Sequence, residues 1–321
     1  MQTKVATHPL VYVVVLNWNG WRDTTRCLTS LRSSTSPNLH VVMVDNGSTN
    51  GTPEHLAPLL EEPWAELVSA GRNLGFTGGA NLGLRLALER GADYAFLLNN
   101  DATVAPDCIT MLVEAAEQRP EVGFVGPKIV WAQQPDRIWS AGMSVNWQRA
   151  TIESHRNEPD DGRFDGCRVV QGLSGCALLV KRAVLELATL LDERYFAYYE
   201  DLDWCLRARR AGFRCLYVGA ARAAHVSSAT SNRGADRSQA ALVNYYGARN
   251  GLLFMATYAP VRTRPLAVAQ LVGRLLAAEG RVIAGGLVLR RPDAGRRAAA
   301  LAAGVVDAVR GCYGRRYEMR P

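Results

Sequence analysis

YAFLLNND (Tyr94–Asp101) decides how this chain is read. Five apolar residues, Tyr94 to Leu98, give way abruptly to Asn99-Asn100-Asp101. The apolar part reads as a strand buried on both faces, and such a strand has no packing use for three polar side chains at its end. Two earlier runs stop in the same way. Val11–Leu16 (VYVVVL) runs into Asn17-Trp18-Asn19-Gly20, and His40–Val44 (HVVMV) runs into Asp45-Asn46-Gly47-Ser48. Asn, Asp and Gly are ordinary turn formers, so one such end means little. In an open α/β sheet, however, the carboxyl ends of parallel strands face one crevice where ligands bind. Three polar ends in succession point to one shared site.

Outward from these strands the first two-thirds of the chain alternates strand-like and helix-like segments, the α/β pattern. Helical spacing occurs over 24–31, 106–118 and 203–210, and a glycine-rich segment opens a helix over 81–90. Further strands are expected at 66–69, at 122–130 with a break at Gly126-Pro127, at 175–181 and at 215–218. Residues 150–166 are polar and read as a loop.

The 321 residues suffice for one large domain or two ordinary ones. With 48% hydrophobic and 21% charged residues the composition is that of a folded globular protein. The apolar run at 11–16 is too short for a signal peptide, so a cytoplasmic location is expected. Seven scattered cysteines without a CxxC pair indicate neither a disulfide framework nor a zinc site.

The net charge of +7 is unevenly placed. From Val261 onward twelve arginines face four acids, which leaves the first 260 residues at −1. A basic tail of this kind suits an anionic partner. Leu266–Leu289 is interrupted by Gln270, Arg274, Glu279 and Arg281 and makes a poor membrane span. Arg274 and Arg281 share one helix face. Two readings stand open: an interfacial helix on anionic lipid, or a helix packed on the domain or on a second copy of the chain. Few aromatics interleave with the arginines, which argues against nucleic acid.

Four segments carry chemistry. Asp45 directly follows a buried strand, where its carboxylate can accept hydrogen bonds from a nucleoside. Arg72-Asn73-Leu74-Gly75-Phe76-Thr77-Gly78-Gly79 can bring backbone N–H groups to an anion ahead of a helix, although its spacing is not that of a dinucleotide fingerprint. Asn99, Asn100 and Asp101 supply the hard oxygens that suit Mg2+ or Mn2+. In Tyr195-Phe196-Ala197-Tyr198-Tyr199-Glu200-Asp201-Leu202-Asp203-Trp204, aromatics run into three acids within four positions. Acids at a helix start satisfy the dipole, but three exceed that need. A carboxylate among apolar rings can be tuned to act as a base. His225 is either a metal ligand or a core histidine.

Taken together, VVVLNWNG, VVMVDNGSTNGT, NLGFTGGANLG, FLLNNDATV, GLSGCALLVKR, DERYFAYYEDLDWCLRARRAGF, AAHVSS and YYGARNGLLF resemble the inverting family-2 glycosyltransferases of the GT-A fold, over about residues 9–255. The branch they look most like is bacterial and rhamnosyltransferase-like, serving cell-wall or polysaccharide biosynthesis. The resemblance implies an α/β fold with a mostly parallel central sheet flanked by helices. It divides the chain into a GT-A domain at 1–258 and a basic helical extension at 259–321. It implies that Leu16, Asn17, Trp18, Asn19, Asp45, Arg72, Asn73, Gly78, Asn99 and Asn100 hold the nucleotide. Asp101 and His225 would hold a divalent cation, Mg2+ or Mn2+. Gly172, Ser174, Gly175, Cys176 and Trp204 would line the sugar and acceptor pocket. Asp201, beside Glu200, would be the general base. Where relatives place a DxD, this chain has Asn99 in the first acid's position.

The implied reaction is a single displacement from a nucleoside diphosphate sugar, best dTDP-rhamnose, to a hydroxyl of a glycan or lipid-linked acceptor. Rival readings are a UDP-sugar donor with a small-molecule acceptor and an inactive nucleotide-sugar-binding protein. A sugar-1-phosphate nucleotidyltransferase needs a glycine- and arginine-rich loop after the first strand, which NWNGWRD does not supply. The partners expected are the donor, the acceptor, a membrane face met peripherally through the basic tail, and a second copy of the chain.

Overall fold

The computed structural model of the protein describes residues 8–60, 64–226, 237–289 and 294–316. The chain opens with β1 (Val11–Asn17), α1 (Trp21–Arg32), β2 (Leu39–Asp45), α2 (Thr52–Leu60), β3 (Ala65–Ser69), α3 (Gly75–Glu89) and β4 (Tyr94–Asn99). There follow β5 (Ala102–Val104), α4 (Cys108–Glu117), β6 (Val122–Trp131), β7 (Gln134–Ser140), β8 (Ser144–Asn146), β9 (Thr151–Glu153), β10 (Cys167–Val170) and β11 (Ala177–Lys181). The remainder is α5 (Arg182–Leu187), α6 (Glu200–Arg210), β12 (Arg214–His225), α7 (Arg237–Tyr258), α8 (Arg264–Leu289) and α9 (Ala294–Val309).

The sheet runs in the order β10-β12-β6-β11-β4-β1-β2-β3, with β5 joined to β12 and β7 to β6. β3, β2, β1 and β4 are mutually parallel, and β6 is parallel to β12. β11 lies antiparallel between β4 and β6, and β10 at the edge is antiparallel to β12, so these two reverse direction within that run. The continuous apolar strands follow from coverage on both faces. Val11, Val13, Val15, Val41, Met43, Phe96 and Leu98 belong to one core cluster. Tyr12, Val14, Val42, Val44, Ala95 and Leu97, the alternate residues, belong to the other.

Several expected boundaries shift for physical reasons. β6 is not broken at Gly126-Pro127. Pro127 pairs with Val218, and the irregularity falls in β12, between Val218 and Arg222. A bulge there accommodates a residue that has no N–H to give. β12 extends past Val218 to His225, so the histidine sits in the strand and not after it. The polar stretch 150–166 holds β9 and a loop pinned by Lys128, whose fully buried ammonium pairs with Asp160 at 2.7 Å and with Asp165.

The helices of the basic tail pack on α7. Leu271 joins Leu252, Leu253, Phe254 and Met255, while Ala300 meets Ala241, Tyr245 and Tyr246. Arg274 donates to the carbonyls of Arg149 and Ala150 at 3.0 and 2.7 Å, which ties α8 to the body. Of the two readings left open for the tail, these contacts belong to the helix packed on the domain; the side chain of Arg281 lies outside the described residues. Among the described residues no helix is long and apolar enough to cross a membrane.

Candidate active site

Register brings the three polar strand ends to one edge. Asn17 lies opposite Asp45 in the β1–β2 pair, Leu16 opposite Asn99 in the β1–β4 pair, and Asp45 opposite Ser69 in the β2–β3 pair. The loops after β1 and β2 are then bolted together. The fully buried Asn17 donates to Asp45 Oδ1 (3.2 Å) and Ser48 Oγ (3.1 Å) and accepts from Thr24 Oγ1 (2.8 Å). Asn19, left-handed at φ 54°, donates its N–H to Ser48 Oγ and accepts from Thr49 N, both at 2.9 Å. Asn17 and Asn19 are thus struts of the loop pair. Trp18 between them is 37% exposed, the outward aromatic of this edge. Asp45 is only 4% exposed, and Ser48 N donates to its second oxygen at 3.2 Å.

Gly75 to Gly83 form the first turns of α3, and three donors at its start have acceptors within the chain and so are not free to meet an anion. Leu74 N donates to Asn46 Oδ1 (2.9 Å), Gly75 N to Asn73 Oδ1 (2.8 Å) and Thr77 N to Phe196 O (3.2 Å). The glycines serve close packing instead. A Cβ on Gly79 would stand 2.4 Å from Leu16 Cδ1, and one on Gly83 would stand 2.4 Å from Val14 Cγ1. Gly78 is buried against Leu74, and Arg72 is exposed beside Gly47. Sequence reasoning passed over Asn46. It is 2% exposed and also donates to Gly75 O at 3.0 Å, fastening the β2 loop to α3; its DNGS setting reads as a turn.

Beyond β4 the chain turns through Asn100 and Asp101. Asn100 donates its amide to Thr24 Oγ1 at 3.0 Å, at the start of α1, while Asn99 N donates to Cys176 O at 2.9 Å. β5 pairs antiparallel with the end of β12, placing His225 opposite Ala102. The imidazole Nε2 consequently lies 2.9 Å from Asp101 Oδ1. His225 Nδ1 is buried without a hydrogen-bond partner, and the ring meets Trp139 edge-on with centroids 4.5 Å apart. Burial, with a smaller push from Asp101, raises the Asp23 carboxyl against the opposing pull of Arg26. Asp23 is therefore a further acid within electrostatic reach, one that helical spacing alone did not flag.

Among the described residues no three His, Cys, Asp or Glu side chains cluster as a metal cage. The pair Asp101 and His225 nevertheless fits a hard divalent ion that takes its other ligands from phosphate oxygens and water. The nitrogen such an ion would meet beside Asp101 is Nε2, while the buried Nδ1 on the other side of the ring has no partner.

On the facing side, α6 begins at Glu200, earlier than the spacing indicated, so all three acids stand in its first turn. They have different tasks. Asp203 is 2% exposed, pairs with Arg207 at 2.8 Å and accepts from Tyr258 OH at 2.6 Å; it is structural. Asp201 is half-buried, accepting from Gly175 N at 3.0 Å and Leu202 N at 2.7 Å. Burial raises its pKa, and those backbone donors oppose the rise. Burial pushes Glu200 well above the usual carboxylate range, and the neighbouring Asp201 pushes it further. Its Oε2 is buried without a partner. The preceding loop carries left-handed Phe196, Tyr198 and Tyr199 at φ 64°, 71° and 75°.

Gly172–Cys176 reach this region just before β11. A Cβ on Gly172 would stand 2.4 Å from Leu202 Cδ1, and Ser174 Oγ accepts from Cys176 N at 3.2 Å. The Cys176 thiol is buried, so this residue presents backbone. Trp204 does not line the pocket. It is fully buried against Phe124, with Nε1 donating to Thr189 O at 2.8 Å.

Residues 12–187 match the family model described as Glycosyl transferase family 2. An N-acetylglucosaminyl-diphospho-decaprenol L-rhamnosyltransferase of Mycobacterium tuberculosis is 31% identical over 245 residues, covering 69% of this chain and 77% of that protein. The dTDP-rhamnosyl transferase RfbF of Shigella flexneri is 24% identical over 203 residues, covering 63% of this chain and 64% of its own length. Among solved structures, the mannosyltransferase PcManGT of Pyrobaculum calidifontis, in complex with GDP-Man and Mn2+, superposes with a TM-score of 0.56 at 18% identity, covering 95% of this chain and 88% of that one. GalNAc-T7 with UDP, GalNAc and Mn2+ gives 0.58 at 13% identity over 83% of this chain and 55% of its own. Their shared architecture is the GT-A fold. The matched span runs from β1 to α5 and the rhamnosyltransferase likeness covers over two-thirds of the chain: the protein belongs to glycosyl transferase family 2 and is a glycosyltransferase.

Proposed function

We propose that the chain transfers L-rhamnose from dTDP-rhamnose to a hydroxyl of a lipid-linked glycan, with inversion, and that Asp201 is the general base. The observation that carries this reading is the placement of Asp201. It sits half-buried at the start of α6, held by Gly175 N, with its pKa raised toward the working range of a base. Asp201 takes the proton from the acceptor hydroxyl as the oxygen attacks the anomeric carbon. The bond to the nucleoside diphosphate breaks on the opposite face, so one displacement inverts the centre and no covalent enzyme intermediate forms. Burial and the neighbouring Asp201 disfavour the charged form of Glu200, which limits a second negative charge near the attacking oxygen.

The nucleoside belongs at the edge formed by Trp18 and Asp45, and the diphosphate beside Asp101 and His225. Asp101 and His225 would hold a Mg2+ or Mn2+ ion, which would supply positive charge to the leaving diphosphate. Arg156 adds to this field. Its guanidinium stacks on Trp139 at 4.7 Å and on Trp131 at 5.6 Å, and it pulls on the Cys176 thiol. The choice of rhamnose and of a polyprenyl-diphosphate acceptor rests on the names of the relatives.

The test is a panel of dTDP, UDP and GDP sugars assayed with a polyprenyl-diphosphate-linked GlcNAc acceptor. Transfer from dTDP-rhamnose with an inverted linkage, lost in Asp201→Asn while donor binding persists, is the expected result. Full activity of that variant sinks the base assignment, and preference for a UDP sugar sinks the donor.

A further inference from the structure

The segment YYGARNG (Tyr245–Gly251) lies in the middle of α7, outside the donor edge, yet it holds two fully buried polar side chains, Arg249 and Asn250. Neither pairs with a carboxylate there. Both turn toward the loop that leads into Glu200 and Asp201. The Asn250 amide nitrogen lies 2.8 Å from Tyr195 O, 2.7 Å from Ala197 O and 2.9 Å from Tyr198 O. Arg249 donates to Arg194 O at 2.8 Å and Tyr195 O at 2.9 Å from the same guanidinium nitrogen, and to Gly314 O at 2.6 Å from another. Its Nε donates to Asn250 Oδ1 at 2.9 Å, which fixes the amide's orientation. The rings of Tyr245, Tyr246 and Tyr313 surround the guanidinium at 5.6, 4.8 and 5.9 Å.

The loop so held has an unfavourable shape. Phe196, Tyr198 and Tyr199 are left-handed without being glycine, and such residues persist only where their surroundings over-determine them. On the opposite side Thr77 N donates to Phe196 O at 3.2 Å, and Gly75 leaves room for the Phe196 ring. The loop is therefore gripped between the start of α3 and the middle of α7. Asp201 is two residues beyond its last left-handed member.

We propose that Arg249 and Asn250 are positioning residues that hold the 194–199 loop in this shape and thereby fix where the Asp201 carboxylate stands. The proposal rests on the reading of Asp201 as the base. The clamp also reaches into the basic tail: Gly314 accepts from Arg249 and donates its N–H to Arg194 O at 2.8 Å. The segment after α9 is thus part of the same assembly.

The test compares Asn250→Ala and Asn250→Asp with the parent chain. The aspartate keeps the shape and the Arg249 contact but turns an acceptor toward three carbonyls. A misplaced catalytic group costs on the order of 10²-fold, so kcat falls by about that factor in both variants, with donor affinity unchanged by titration calorimetry. The acidic limb of kcat also moves to lower pH. A loosened loop admits water to Asp201, which otherwise faces Glu200 and the thiols of Cys176 and Cys205. Folded variants with parental kcat overturn the proposal, as does a parallel loss of kcat, donor affinity and melting temperature with the limb unmoved. Asp201→Asn is run beside them. Full activity there removes the base reading, whereas an inactive Asp201→Asn with active Asn250 variants removes the clamp alone.

Discussion

His225 Nε2 stands 2.9 Å from Asp101 Oδ1, across 124 residues of chain. The antiparallel pairing of β5 with β12 makes the meeting, since Ala102 follows one residue and lies opposite the other. Stabilisation by bound Mn2+ should therefore depend on both side chains. With a nucleoside diphosphate present, the parent chain should gain about 2.7 kcal/mol at a metal concentration 100 times Kd. Asp101→Asn and His225→Asn should lose most of that gain in a thermal-shift titration. An equal gain in all three proteins would place the metal elsewhere.

Glu200 should lower stability at neutral pH. Its folded pKa is raised above the ordinary value of 4.5, so the folded state binds more protons between 4.5 and the raised value. Its contribution is then fully present below pH 4.5 and is lost as pH rises through the folded pKa. Glu200→Gln should melt higher at pH 8, by roughly 2–4 °C for each kcal/mol relieved, and the difference should vanish near pH 4. Calorimetry at the two pH values decides it.

Asp201 gives a kinetic counterpart. Burial holds its carboxyl above the ordinary 3.8, so transfer should decline on acidification at a pH higher than that value. A kcat profile that stays flat down to 3.8 would count against this carboxylate as the proton acceptor.

Gly83 admits no side chain because Val14 on β1 is stiff at χ1 and already in place. Gly83→Ala should destabilise the fold by about 1–3 kcal/mol through overpacking, measured by urea unfolding. Gly273→Ala, in α8, makes a control for the space, since nothing stands within 4 Å of its Cβ position and its φ is not left-handed.

Asp203 pairs with Arg207 of the same helix and joins α6 to Tyr258 at the end of α7. Asp203→Ala removes the carboxylate from a guanidinium that keeps Ala188 O, Thr189 Oγ1 and Leu190 O, and should cost about 3 kcal/mol. Tyr258→Phe removes one hydrogen bond and should cost about 1 kcal/mol. Similar losses in the two variants would mean that the ion pair contributes little.

The strands β1, β2 and β4 were legible because burial on both faces leaves an unbroken apolar run, and register brings their polar ends to one edge, the candidate site. Three features were not. The start of α3 was hidden because glycines chosen for close helix–sheet packing look the same as glycines chosen for a turn. The last part of β12 is alanine-rich and follows a bulge, so no alternation announced that His225 belongs to a strand. Trp204 resembled a pocket aromatic, because a sequence shows the neighbours of an indole along the chain and not those packed around it. The different tasks of Asp201 and Asp203 likewise depend on partners from β11 and α7, which local spacing does not contain.

The reversed direction of β11 has an evolutionary consequence. Because it runs against β4, its beginning, and not its end, arrives at the edge where Asn17, Asp45 and Asn99 gather. The stretch from Ala141 to Cys176, entered from β7 and left through β11, therefore returns to that edge, while β10 within it is anchored on β12 at the other side of the sheet. None of its named strands pairs with β1, β2, β3 or β4, so a change of length in its loops moves no rung of those strands. On the proposed reading, the acceptor half of the pocket can change while the nucleotide half keeps its ladder.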